Sequence, residues 1–131
     1  MDLGEACKGY WKFRRLSISP VRADRLRSDR WFQYWEVVES IADGEPAPLE
    51  IEPLRLFEAL ADSAPDLDAL AYLGAGPIEN YLQGDDWTID EVDQAIRQSR
   101  LLRLAFQSAR PPDDLSDAHL ARLRDLLGAG S

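Results

Sequence analysis

Residues 73–82 read LGAGPIENYL, and two glycines and a proline between apolar runs fit two different architectures. After a β-strand, such a run offers backbone N–H groups and a helix N-terminus to a phosphate, as in dinucleotide-binding α/β folds. Between helices it is a corner. Gly74 then takes the left-handed conformation that ends one helix, Gly76 caps the next, and Pro77 fills its first position, where no N–H is needed. Glu79 in the first turn faces the positive end of the helix dipole. Charge decides between the two. Pro77 removes a donor, Glu79 and Asp85 are negative, and no basic residue lies between Arg55 and Arg97. The stretch predicts a structural corner at Gly74, Gly76, Pro77 and Glu79 in a helical chain.

The flanking sequence reads the same way. Leu3, Cys7, Tyr10 and Trp11 share one side of a helix over Leu3 to Arg15, opposite Lys8, Lys12 and Arg15. Ser19-Pro20 reads as an N-cap followed by a first-turn proline, starting a second helix or an approach to one. Trp31, Tyr34, Trp35, Val38, Ile41 and Ala42 recur every three or four residues, and Gly44 ends that helix. Glu45-Pro46-Ala47-Pro48 is a linker, and LEIEPL (49–54), the one alternating piece, contains Pro53 and reads as a helix entry rather than a strand. Leu54, Phe57, Leu60 and Ala61 mark the next helix, and Asp66 caps a short one with Leu67, Leu70 and Ala71 inward. Thr88 and Glu91 have the spacing of a capping box that opens one long helix through Ile89, Val92, Ala95, Ile96, Leu102 and Phe106, closed by Pro111-Pro112. Ser116 caps a last helix over Asp117 to Leu127, with Leu120, Leu123 and Leu127 inward and Gly128 as its stop. The expected fold is all-α: a single compact bundle of six to seven helices with short corners over residues 1–131.

A chain of 131 residues buries about two thirds of its unfolded surface in one domain, enough for a core without staples. Its single cysteine, Cys7, excludes an internal disulfide, and neither a secretory signal nor an apolar run of membrane-spanning length is visible. The cytoplasm is the expected compartment. The net charge of −9 is unevenly spread. Residues 1–30, a basic N-terminal arm, carry eight Lys or Arg against four acids; residues 31–96 carry sixteen acids against Arg55 alone; residues 97–131 carry six Arg against four acids. An acidic body over 31–127 repels nucleic acid and attracts a basic partner within a screening length of about 8 Å.

The run from Asp29 to Leu82, with its WFQYWEVVE helix, LFEAL helix and AYLGAGPIENYL, resembles a family of small bacterial helical domains of unknown function that carry a Gly-Ala-Gly-Pro-Leu-Glu segment after an aromatic helix. The resemblance covers about residues 29–109, with Ile78 in place of leucine and Asn80 in place of an acid. It implies a helical fold and a bacterial or phage origin, and brings no catalytic residues.

Chemistry-bearing groups are sparse. His119 lies off the leucine face of its helix, and Cys7 lies on the apolar side of the first helix with no histidine near it in sequence; neither suggests a triad or a zinc site. Asp85, Asp86, Asp90, Glu91 and Asp93 lack the spacing of a calcium loop and suit the positive end of a helix, with Asp93 and Arg97 paired at i and i+4. No cofactor and no metal is expected, and no enzymatic activity. On the helix from Asp29 to Asp43, a projection of about 100° per residue groups Phe32 with Glu36, Glu39 and Asp43, opposite Trp31, Tyr34 and Val38. Two arrangements suit that grouping. Phe32 ringed by carboxylates anchors a basic protein, with Asp85, Asp86 and Asp90 extending the surface; or Phe32 packs under the first helix and Lys8, Lys12 and Arg15 neutralise the acids. The leading expectation is a non-catalytic acidic protein that blocks a basic partner, an immunity protein for a toxin or a phage-type inhibitor of a nucleic-acid-handling defence complex. The alternatives are an interaction module that forms a homodimer, and a nucleic-acid binder using Tyr10, Trp11 and Phe13 among the basic residues of the first helix.

Overall fold

The computed structural model describes residues 1–128 and contains no β-strand among them. Its elements are α1 (Leu3–Ser17), α2 (Arg22–Arg27), a 3₁₀ turn (Ser28–Trp31) leading into α3 (Phe32–Ala42), α4 (Pro53–Asp62), α5 (Leu67–Leu73), a π-helical turn (Gly74–Ile78) leading into α6 (Glu79–Gln83), α7 (Ile89–Gln98), α8 (Arg100–Phe106) and α9 (Asp117–Gly128). Because residues 22–42 and 67–83 run without interruption, these make seven helical bodies.

Side chains that satisfy the orphan N–H groups of first turns set most of the starts. Asp2 Oδ1 accepts from the Glu5 N–H at 2.7 Å, Asp66 Oδ1 from Ala69 at 2.8 Å, Thr88 Oγ1 from Glu91 at 3.2 Å and Ser116 Oγ from His119 at 3.2 Å. Pro53 stands at the head of α4, as LEIEPL predicts. Gly44 has φ +75°, and around it the Glu45 N–H donates to Ser40 O at 2.8 Å and the Gly44 N–H to Ile41 O at 3.1 Å, the paired bonds of a Schellman stop.

LGAGPIENYL is helical, as its charges require, but it is not a corner. Gly74 has φ −66° and ψ −48°, ordinary right-handed values, and Gly76 and Pro77 lie inside a wide turn instead of capping a new helix. The reason is packing. A Cβ on Gly74 would stand 1.8 Å from the carbonyl oxygen of Ala105, so glycine here lets two backbones meet. Pro77 has no N–H for the carbonyl four residues back and its ring crowds that position; the turn widens until the Glu79 N–H reaches Gly74 O, five residues away. Gly76 carries no Cβ to clash with the proline ring that follows. Glu79 accepts from the Arg110 N–H at 2.7 Å, joining the turn to the chain beyond α8 instead of facing a helix start.

Three other expectations are corrected. The long helix from Thr88 breaks at Ser99, which is buried and extended (φ −141°, ψ 111°) and whose Oγ accepts from the Leu102 N–H at 3.1 Å, so one serine ends α7 and caps α8. The break frees α8 to run through the centre, where Leu102, Ala105 and Phe106 have no solvent exposure. On α5 the inward residues are Ala69, Leu70 and Leu73, while Leu67 is 72% exposed and Ala71 is exposed. On α9, Leu123 and Leu126 are buried, Leu120 and Leu127 only partly so, and Gly128 is itself helical, the residues after it lying outside those described.

The basic first helix belongs to the same core. Tyr10 and Trp11 are buried, Trp11 Nε1 donates to Leu60 O at 3.1 Å and to Ser63 Oγ at 3.2 Å, and Tyr34 of α3 lies across Gly9, where a Cβ would stand 2.2 Å from the ring. Cys7 is buried here and desolvation pushes its thiol pKa up, against a weaker lowering by Ser63.

Candidate functional site: an acidic mouth around Tyr81

Phe32 does not stand free among the carboxylates that the projection groups with it. Phe32 is 42% exposed but stacked on Trp35 at 5.3 Å and tilted against Phe13 of α1 at 5.7 Å. It closes the aromatic seam between α1 and α3. Glu36 is exposed beside it. One turn on, Glu39 accepts from Asn80 Nδ2 at 2.9 Å; burial raises its carboxyl pKa and nearby Asp43 adds to the rise, while the Asn80 hydrogen bond opposes it. The basic residues of α1 do not neutralise these acids. Among the described residues no ion pair involves Lys8, Lys12 or Arg15, and the Lys12 ammonium lies 5.6 Å from the ring centroid of Trp31.

Asp43 and Asp86 do come together. The Schellman stop at Gly44 turns the chain into residues 45–52, and Asp86 Oδ2 lies 2.7 Å from where a Gly44 Cβ would be. Trp87 Nε1 donates to Leu82 O at 2.8 Å and so pins the 84–88 loop over α6. Three adjoining cavities of about 310, 430 and 580 Å³ share Tyr81 and Pro53. Their walls carry Asp43, Glu45, Glu50, Glu52, Glu58, Asp86 and Glu91 against one cation, Arg55. Asp85 is exposed on the same loop. Asp90 turns away, to a 2.7 Å salt bridge with Arg122 of α9, and Asp93 takes both Arg97 and Arg122. The Asp93–Arg97 pair is the one the sequence predicts.

Tyr81 reports the field in this mouth. Its ring is buried against Phe57 at 5.5 Å, and its phenol pKa is pushed well up, first by burial and then by Glu91, Glu52 and Asp86. The three carboxylates attract a cation as they disfavour a phenolate, whereas burial, the larger cause, disfavours either charge. Partial burial sets the size of the effect: two unit charges about 4 Å apart interact by roughly 4 kcal/mol near a protein surface, against about 1 kcal/mol in bulk water. Sequence reasoning missed Tyr81, Glu45, Glu50, Glu52 and Glu91 as a group; the only signal was the acidic excess of residues 31–96. Among the described residues no three His, Cys, Asp or Glu side chains are placed to hold a metal.

Fold and site together define an all-α protein with a carboxylate-lined mouth, and no helix among the described residues is long and apolar enough to cross a membrane. Residues 94–131 match the family model described as the TilS substrate binding domain. The match begins within α7 and takes in α8 and α9; the GAGPIE segment and the carboxylates of the acidic mouth lie outside it, while Gln94, Ala95 and Gln98 of the mouth's wall lie within it. No curated protein and no solved structure matches the chain.

Proposed function

We propose that this is a non-catalytic docking protein whose acidic mouth occupies and blocks a basic partner, in the manner of an immunity protein for a toxin or a phage-type inhibitor of a nucleic-acid-handling defence complex. The observation that carries this reading is the convergence of Asp43, Glu52, Asp86 and Glu91, from separate parts of the chain, around one buried tyrosine. Such a concave field steers a cationic surface, raising association rates by about 10 to 1,000-fold, and falls away with salt. The resemblance of residues 29–109 to small bacterial domains is compatible with it but supplies no residues.

Affinity capture at physiological salt tests the reading. The wild-type chain retains a basic protein from its native cells, retention weakens as salt rises, and the double reversal Glu52→Lys/Glu91→Lys abolishes it while Glu36→Lys does not. Retention that survives the double reversal sinks the proposal. The match over residues 94–131 favours a second reading, a module that holds a substrate through α8 and α9. In that case the double reversal leaves ligand binding intact.

A further inference from the structure

A second concavity, of about 720 Å³, lies between α7, α8 and α9 and shares no residue with the acidic mouth. Four guanidinium groups line it, Arg97, Arg100, Arg103 and Arg122, with two carboxylates, Asp93 and Asp125. Their pairing is unequal. Asp93 takes Arg97 and Arg122, and Asp90 at the margin takes Arg122 as well. Arg100 and Arg103, one turn apart on α8, enter no ion pair among the described residues. The Nε of Arg103 is buried without a hydrogen-bond partner. Tyr10 Oη and Arg14 Nε are also buried without a partner elsewhere, so the cleft is marked by its unpaired guanidinium groups and not by this atom.

In a chain with nine more acids than bases, two guanidinium groups of one cleft that no carboxylate pairs among the described residues point to an acceptor from outside. We propose that this cleft binds a phosphorylated organic anion, its phosphate bridging Arg100 and Arg103 and its carbon skeleton lying on Ile96 and Leu126. Each part follows from the lining. Guanidinium forks match phosphate oxygens in pairs, and a tetrahedral dianion can engage two forks where a planar carboxylate satisfies one. Asp125 on the α9 side repels an anion and leaves the α8 side as its seat. The cleft is larger than a bare phosphate needs and within the range of small-ligand pockets, about 300–1,000 Å³. The proposal does not depend on the docking reading, and it supplies a ligand chemistry for the substrate-holding one.

Phenyl phosphate, inorganic phosphate, benzoate and a single-stranded RNA oligonucleotide, each titrated into the full-length chain by NMR, test it. Phenyl phosphate gives saturable shifts in α8 and α9 and binds more tightly than inorganic phosphate or benzoate. Arg100→Gln weakens it at least tenfold, Leu126→Ala removes its advantage over inorganic phosphate, and Arg22→Gln on α2 changes neither. Arg103→Gln gives the same loss if it folds; Arg100, being exposed, provides the test if it does not. Equal affinity in Arg100→Gln and wild type, shifts confined to α1 and α2, or binding of the RNA without phenyl phosphate overturns the proposal. Failure of these titrations leaves capture by the acidic mouth standing, and the reverse holds.

Discussion

Replacing Gly74 by alanine separates a glycine that ends a helix from one that lets helices touch. The added Cβ would lie 1.8 Å from Ala105 O, 2.9 Å from Ala105 C and 3.0 Å from Ser108 Cβ. Ordinary contact begins at 3.4 Å, so the oxygen must retreat by about 1.6 Å, the difference between 3.4 and 1.8 Å. The obstacle is backbone, and the helix that must move is α8, whose Leu102, Ala105 and Phe106 are fully buried. Forcing extra volume into a packed core costs about 1–3 kcal/mol, and the upper end applies where no side chain can swing aside. Alanine returns about 1 kcal/mol of helix propensity. The net loss is about 2 kcal/mol. With an unfolding entropy near 2.1 cal/mol/K per residue, that lowers Tm by about 7 °C for a chain of 131 residues. Thermal unfolding followed by far-UV circular dichroism reads it, with Gly4→Ala as the control: its Cβ would meet nothing nearer than Asp2 Oδ1 at 3.5 Å, and Tm should rise by up to about 4 °C. If Gly74→Ala melts with the wild type, or gains stability as Gly4→Ala does, the close-approach account is wrong.

Ser99→Ala removes the cap of α8 and should cost about 1 kcal/mol, measured by urea unfolding, with Ser99→Asn recovering part of it if the buried site admits the larger side chain. Arg122 and then Arg97 hold the Asp93 carboxyl below its usual range. A depressed acid contributes stability above its unfolded pKa of about 4 and loses it as pH falls through the folded value; Arg122→Gln should therefore flatten the fall of Tm between neutral pH and about pH 3. The buried Cys7 thiol, its pKa raised chiefly by desolvation, should react with a disulfide reagent only as fast as the protein opens, and mild urea should speed the reaction; immediate labelling of the native chain would place the thiol at the surface.

Local chemistry was legible where a residue's role depends on its sequence neighbours. Asp66, Thr88 and Ser116 cap the helices they precede, Pro53 opens α4 and Gly44 closes α3. Roles set by distant partners were not. Gly74 reads alike whether it adopts positive φ or lies against Ala105, thirty-one positions away. The break at Ser99 is hidden because the apolar spacing from Ile96 to Leu102 and Phe106 suits one helix as well as two. Phe32 was grouped with the acids by a projection that could not include Phe13 of another helix, which draws it into the aromatic seam. The mouth draws its carboxylates from positions 43 to 91, a convergence that single-helix projections cannot show.

The wide turn between Gly74 and Ile78 also acts as a phase shifter. It accommodates about one residue more than an α-helical turn, so every later side chain is rotated by about 100° from where an unbroken helix would aim it. Upstream, the helix presents its glycine to α8; downstream, the offset delivers Asn80 to Glu39 and Tyr81 to the acidic mouth. Deleting Pro77 itself would remove the reason for the wide turn and let an ordinary helix point Tyr81 elsewhere, so the aim of the mouth is set by the count of residues between two glycines and a tyrosine as much as by their identities.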